Sequence, residues 1–291
     1  MTHDTPADYS ERDNASIRDS GLDTILWVSL LMMLICSDKS WWLAAIPASA
    51  AIATWCRPNL IHDWRMWMVI GILQAIRNTV VWIHLDDHIA VANYWSFVIA
   101  LALSSTSTRN VVTVNARWII ALVFVFATGW KLGSAEYTNG AFFEYTLLLD
   151  DRFLPLARWI GGVPTEGLIE NYRNMSQLRN GQMPELAFMV RTTVQAHALA
   201  QFLTWWTVLI EGTVALAFLA ACLGGLSPVR NGLLALFAAT TYVPVPVTGF
   251  CAVLMVLGFA QCGPSERISR RMYAGVFFAA ILWTPVWQLL N

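Results

Sequence analysis

The chain has 291 residues, 57% of them hydrophobic and 13% charged, with a formal net charge of −1. A soluble domain carries roughly 25% charged residues, so this chain has about half the usual charge. That composition excludes a disordered chain, and the balance of 18 basic against 19 acidic residues excludes a basic nucleic-acid binder. A positive mean hydropathy of +0.53 and fifteen tryptophans predict an all-α, polytopic membrane bundle of about 8–9 spans, with the lipid bilayer as its first partner.

Residues 1–23 are polar, lack a leader's charged and apolar regions, and are read as a disordered cytoplasmic tail. Residues 24–291 are read as one membrane domain. Its spans are placed at about 24–37, 41–56, 64–84, 89–106, 115–132, 195–223, 230–243, 245–262 and 272–290. Between the fifth and sixth lies a mixed stretch, 133–194, read as a long extracytoplasmic segment with an amphipathic or re-entrant part.

The run Val243-Pro244-Val245-Pro246 splits what would otherwise be one long helix, because each proline removes a donor and clashes with the preceding turn. Counting nine spans puts Arg12, Arg18, Arg57, Arg65, Arg109, Arg117, Arg230, Arg267, Arg270 and Arg271 on one side. The positive-inside rule makes that side cytoplasmic, with the N-terminus inside and the C-terminus outside, in a plasma or inner membrane. The five cysteines form no CxxC pattern and read as buried thiols.

Polar residues inside apolar runs are the informative ones, since ionisable groups at membrane depth are costly. Arg77, His84 and His88 share one helical face, with Asp87 nearby. His84, Asp87 and His88 have the residue types and spacing of a divalent-metal site, or of a solvated helix end. A second stripe runs through His197, Gln201, Thr204, Val208 and Glu211, with Trp205 beside it. It reads either as interhelical hydrogen bonding or as a polar cavity lining for a quinone-like cofactor. Glu211 sits mid-span and needs a partner, and Arg77 matches it by depth. Lys131 is one of only two lysines and follows the apolar run ALVFVFATGW. It reads as a snorkelling residue or as a base with burial-depressed pKa. Acids and aromatics follow it: Glu136, Tyr137, Glu144, Tyr145, Asp150 and Asp151. Arg152 and Arg158 then stand where they could reach headgroups.

The string ATGWKLGSAEYTNGAFFEYTLLLDD resembles a signature of the HTTM superfamily, which includes vitamin K-dependent gamma-carboxylases and SdpB-like proteins linked to sporulation-delaying peptides. The matching positions are Gly129, Lys131, Leu132, Glu136, Tyr137 and Gly140, and the spacer from Leu132 to Gly140 is closer to the SdpB-like branch. HLDDHIAVANYWSFVIALALSS and TWWTVLIEGTVALAFLAA look like flanking family segments, the latter carrying Thr204 or Thr207 and Glu211. Carboxylases have two adjacent lysines where this chain has Trp130-Lys131. A later-span histidine of the family is replaced by Thr240, Thr241 and Tyr242.

The resemblance implies maturation or modification of a secreted peptide, such as a toxin, at the extracytoplasmic face. Lys131 would be the base, with Glu136, Glu211 and Arg77 completing a catalytic group, and His197, Gln201 and Trp205 binding a quinone-like cofactor if there is one. Two other readings stand beside it: a quinone-linked redox subunit of DoxX-like style, and a structural or immunity protein without chemistry.

Overall fold

The computed structural model describes residues 6–37, 41–80, 86–180, 190–225 and 227–290. Among them the chain is helical throughout, with no strand. Thirteen α-helices follow in order: α1 Pro6–Ile35, α2 Trp41–Cys56, α3 Trp64–Val80, α4 Asp87–Leu103, α5 Thr108–Gly133, α6 Ala135–Thr138 and α7 Ala141–Leu149. Then come α8 Leu154–Trp159, α9 Thr165–Arg179, α10 Val194–Cys222, α11 Ser227–Tyr242, α12 Thr248–Gln261 and α13 Arg267–Leu290. Two helices, α5 and α10, are long and apolar enough to cross a membrane. Their 26 and 29 residues reach about 39 Å and about 44 Å, against a hydrocarbon core of roughly 30 Å.

Two segments outside the apolar runs are also helical. The tail from Pro6 onward is helical and runs without a break into the first apolar segment, so α1 is 30 residues long. Proline is well placed at a helix start, where its missing donor costs nothing. Within the stretch 133–194, short packed helices α6 to α9 occupy residues 135–179. Gly140 at φ 83° separates α6 from α7. The proline-rich run behaves as its chemistry dictates: α11 ends at Tyr242 and α12 starts at Thr248.

The chain forms two compact units. The first comprises Met1–Ile120 and Val247–Ile281. Its centre is α12, of which ten residues, Cys251 to Gly258 with Ala260 and Gln261, are buried. A helix buried on all sides must be apolar all round, and from Phe250 to Ala260 this one is. Glycines let neighbours approach it. A Cβ on Gly249 would stand 2.5 Å from His88 of α4, and one on Gly258 would stand 2.7 Å from the Tyr273 ring of α13. At its far end α12 presents unpaired carbonyls, and α5 supplies donors. Arg109 donates to the Cys262 carbonyl at 2.8 Å, Thr113 to Ala260 at 3.3 Å and Arg117 to Gln261 at 3.3 Å. Cationic donors at a helix C-terminus also meet the negative end of its dipole.

Contacts fix the direction of these helices. Near the start of α12, the Cys36 thiol after α1 approaches the Gly249 carbonyl at 3.7 Å. At the opposite end, Arg270 of α13 packs by Gly21 of α1, and Asp23 pairs with His62 at 3.0 Å. Thus α1 and α12 run antiparallel.

Helix α3 has its polarity reversed relative to a water-soluble helix. It buries Trp67, Ile70, Gly71, Gln74 and Asn78, and exposes Val69, Ile72, Leu73, Ile76 and Val80. The buried amides are paired. Asn93 of α4 donates to the Gly71 carbonyl at 2.9 Å and accepts from Asn78 at 3.2 Å, in the orientation that satisfies both ends of its amide. Ser96 donates to Gln74 at 3.4 Å, and the Trp95 indole donates to Ser29 at 2.9 Å.

The second unit comprises Ala121–Pro246 and Leu282–Asn291. Its hydrophobic core joins Tyr137, Phe143, Leu147 and Leu148 to Ala157, Val163 and Leu168, and then to Ala196 and Ala200 of α10. The short helices therefore pack on the first half of α10.

Gly258→Ala is expected to destabilise the protein by about 1–3 kcal/mol, because the Tyr273 ring it would meet is fully buried and has nowhere to go. Gly129→Ala, with nothing within 4 Å, is expected to be neutral or stabilising. Thermal unfolding of both variants in detergent checks the pair, and equal effects would refute the packing argument.

Candidate functional site

Lys131 lies in the last turn of α5 and Glu211 near the middle of α10. Their side chains form an ion pair between Lys131 Nζ and Glu211 Oε1, with side-chain exposures of 15% and 9%. Two charges so nearly removed from water need each other, because an unpaired buried charge costs several kcal/mol. The Lys131 amine turns inward to Glu211 rather than outward to solvent. It also answers where Glu211 finds its partner. The carboxylate meets Lys131, whereas Arg77, expected from its depth, donates to Asn78 at 3.2 Å within the first unit.

Around the pair, 128–144 and α10 run antiparallel as a ladder. At one end Gly212 faces Thr128, and a Cβ on the glycine would stand 3.5 Å from the threonine methyl. Next come Lys131 and Glu211, then Tyr137 and Thr207 with hydroxyls 2.8 Å apart. Gln201 follows, donating to the Asn139 carbonyl. Last, His197 Nδ1 lies 2.9 Å from Glu144, whose other oxygen accepts from Thr192 at 2.9 Å. Residues 197, 201, 204, 208 and 211 recur every three or four positions, which puts them on one α10 face. The stripe seen in the sequence is thus chiefly an interhelical hydrogen-bonding face.

Local structure aims each group. Ser134 caps α6 by accepting from the Tyr137 backbone N–H at 3.3 Å. That short helix turns Tyr137 back over Lys131, whose Nζ is 5.4 Å from the ring centroid, within cation–π range. Phe142 stacks on the same tyrosine at 5.1 Å and Phe143 meets it edge-on at 5.6 Å. Gly140 is required twice over. Its φ of 83° is one that residues with a side chain rarely adopt, and a Cβ there would stand 2.5 Å from Gln201.

The hydroxyl pair has a direction. Thr207 is 2.9 Å from both the Leu203 and Thr204 carbonyls, so its own proton goes to the backbone. The Tyr137 hydroxyl therefore donates to Thr207. Burial pushes the Tyr137 phenol well above its ordinary pKa, the Glu211 charge adds to this, and the Thr207 bond opposes it only in part. Tyr137 stays protonated near neutral pH and works as a donor, never as a base.

Three buried oxygens in this neighbourhood lack a hydrogen bond among the described residues: Glu211 Oε2, Thr128 Oγ1 and Thr204 Oγ1. An ion pair with one unused carboxylate oxygen can accept a further donor or shift a proton across its single bond.

The remaining sequence candidates lie elsewhere. Glu136 is exposed in the first turn of α6, outside the buried group. Trp205 is 53% exposed and lines an open, apolar groove with Gln201, Phe202, Trp206 and Leu209. His84 falls outside the described residues. Asp87 is exposed, and His88 packs at the start of α12 against Phe250, with ring centroids 6.5 Å apart. Among the described residues no three His, Cys, Asp or Glu side chains come together as a metal site. Thr207 and Thr128 escaped the sequence reading as partners, because only the docking of α5 and α6 on α10 identifies them.

No protein-family model, curated protein or solved structure matches this chain.

Lys131→Met and Glu211→Gln are each expected to cost about 3–5 kcal/mol, because each leaves the other charge buried alone. The double variant should cost less than the sum by at least about 1 kcal/mol. A double-mutant cycle measured by unfolding in detergent checks this, and strict additivity would show that the two groups do not interact.

Proposed function

We propose that this is a multi-pass membrane protein of HTTM type, closest to the SdpB-like branch, that matures or modifies a secreted peptide at the extracytoplasmic face. The observation that carries the reading is the buried Lys131–Glu211 pair, since Lys131 is the lysine of the resembling signature. An ionisable group held inside an apolar helix, as Glu211 is in α10, marks function more often than architecture. In this reading the Lys131 ammonium first passes a proton to Glu211 Oε1 across their bond, the neutral amine then takes a proton from the substrate, and Glu211 Oε2 accepts a hydrogen bond from the incoming group. Tyr137 turns its hydroxyl proton from Thr207 to the charge that develops.

Membrane residence is supported by the reversed polarity of α3 and by α10, which exposes Phe202, Leu209 and Leu216 while burying Thr204 and Glu211. An apolar outer surface of this extent is rare in water. The orientation is supported within the first unit. Arg109, Arg117 and Arg270 lie at the C-terminal end of α12, whereas Asp86, Asp87 and His88 begin α4 near its start. Arginines thus gather at the end read as cytoplasmic.

Two measurements test this. Alkaline carbonate should leave the chain in the membrane pellet. The exposed thiol Cys56, at the end read as cytoplasmic, should react with a membrane-impermeant maleimide only in opened cells, while an introduced Glu166→Cys should react in intact cells. For activity, mass profiles of secreted peptides should differ between cells with wild-type protein and cells with Lys131→Met. Identical profiles, with the variant present at wild-type level in the membrane, would reject a chemical role for Lys131.

A further inference from the structure

Helices α7, α8 and α9 enclose a cleft of about 540 Å³ in the second unit. That volume is in the range of small-molecule sites. Its walls are aliphatic: Leu148 and Leu149 from α7, Leu154 from α8, and Leu168 and Ile169 from α9. Its rim carries Arg158, Arg173 and Tyr172, with Asp151 as the one acid. Both arginines are exposed, and neither makes an ion pair among the described residues. The other arginines of this segment whose contacts are described do have partners: Arg152 holds Asp150 and Arg191 holds Glu170.

The cleft is preformed. Asn171, on the opposite side of α9, is fully buried and clamps the helix to residue 191. Its amide donates to the Arg191 carbonyl at 2.9 Å and accepts the Arg191 N–H at 2.7 Å. Thr193 ties the same strand of chain to the Gly161 carbonyl after α8. An ordered apolar slot, with two free guanidinium groups at its mouth, has the shape of an amphiphile: an aliphatic tail and an anionic head. Tyr172 at the cleft, and Trp159 and Ile160 next to Arg158 in the chain, are all more than half exposed, as residues of a membrane interface are.

We infer that this cleft binds one acyl chain of an anionic bilayer phospholipid, with Arg158 and Arg173 on its phosphate. The inference rests on the membrane reading above. Two guanidinium groups against one carboxylate leave the rim net positive, so an anionic headgroup is favoured over a zwitterionic one. Fixing one lipid here would hold α7 to α9 against the outer leaflet, beside the segment that carries Tyr137.

The test uses the full chain, purified in detergent, and intact-complex mass spectrometry. Phosphatidylglycerol and phosphatidylcholine of identical chains are added at equal concentration. One phosphatidylglycerol should be retained in preference by roughly tenfold, the order expected for two basic groups at a headgroup. Arg158→Gln with Arg173→Gln, both exposed and free of structural partners, should reduce that preference to near one. Leu154→Trp, which fills the slot, should weaken retention of both lipids. Glycerol phosphate, a head without a chain, should not compete. Equal retention of the two lipids by wild type, an unchanged preference in the double variant, or competition by glycerol phosphate would each overturn the inference. Those failures are separate from failure of the membrane reading, which appears as release of the chain by carbonate and would remove the lipid source as well.

Discussion

A charge taken out of water must find its counter-charge inside the fold, and Lys131 with Glu211 meets that constraint between two apolar helices. The rest of the second unit is arranged around that meeting. Because α5 and α10 must bring one lysine and one glutamate together, their register is fixed. Once it is fixed, Tyr137 falls opposite Thr207, Gln201 opposite Asn139 and His197 opposite Glu144. The short helices α6 and α7 extend this docking, and their aromatic and aliphatic faces close the core against Ala196 and Ala200. Small side chains on α10 leave the room that Phe143 and Leu147 fill.

The same economy governs the first unit by other means. Its buried polar groups are amides and hydroxyls, paired across α3 and α4 and with α1. Arginines appear where a helix end offers bare carbonyls, at the C-terminus of α12. Hydrogen bonds of this kind add specificity where apolar contacts alone would let helices rotate against each other. Glycines at 249 and 258 then set how closely α4 and α13 approach.

On the proposed reading, the ion pair serves both folding and chemistry. A lysine paired with a carboxylate is held ready and kept from reacting, and becomes a base once its proton has passed to Glu211. The unused Glu211 oxygen gives an entering group something to bind before that proton passes. Tyr137, protonated by its burial, cannot compete for the proton.

The helices were legible in the sequence because period and composition report them directly. Nine apolar runs became nine helices, and the Pro244–Pro246 break fell where missing donors require it. The stripe from His197 to Glu211 was also legible, since 3.6-residue spacing alone puts those side chains on one face. Which partner each would meet was not legible. Depth made Arg77 the natural match for Glu211, yet depth says nothing about which helices are neighbours. The helical course of the tail from Pro6 was hidden, because polar composition does not by itself stop a helix that has been nucleated downstream. The scarcity of charge in this chain thus specified a helical protein and marked Lys131 and Glu211 as the residues to explain. Tertiary structure alone decided that they explain each other, because pairing depends on helix adjacency and register, which no local pattern encodes.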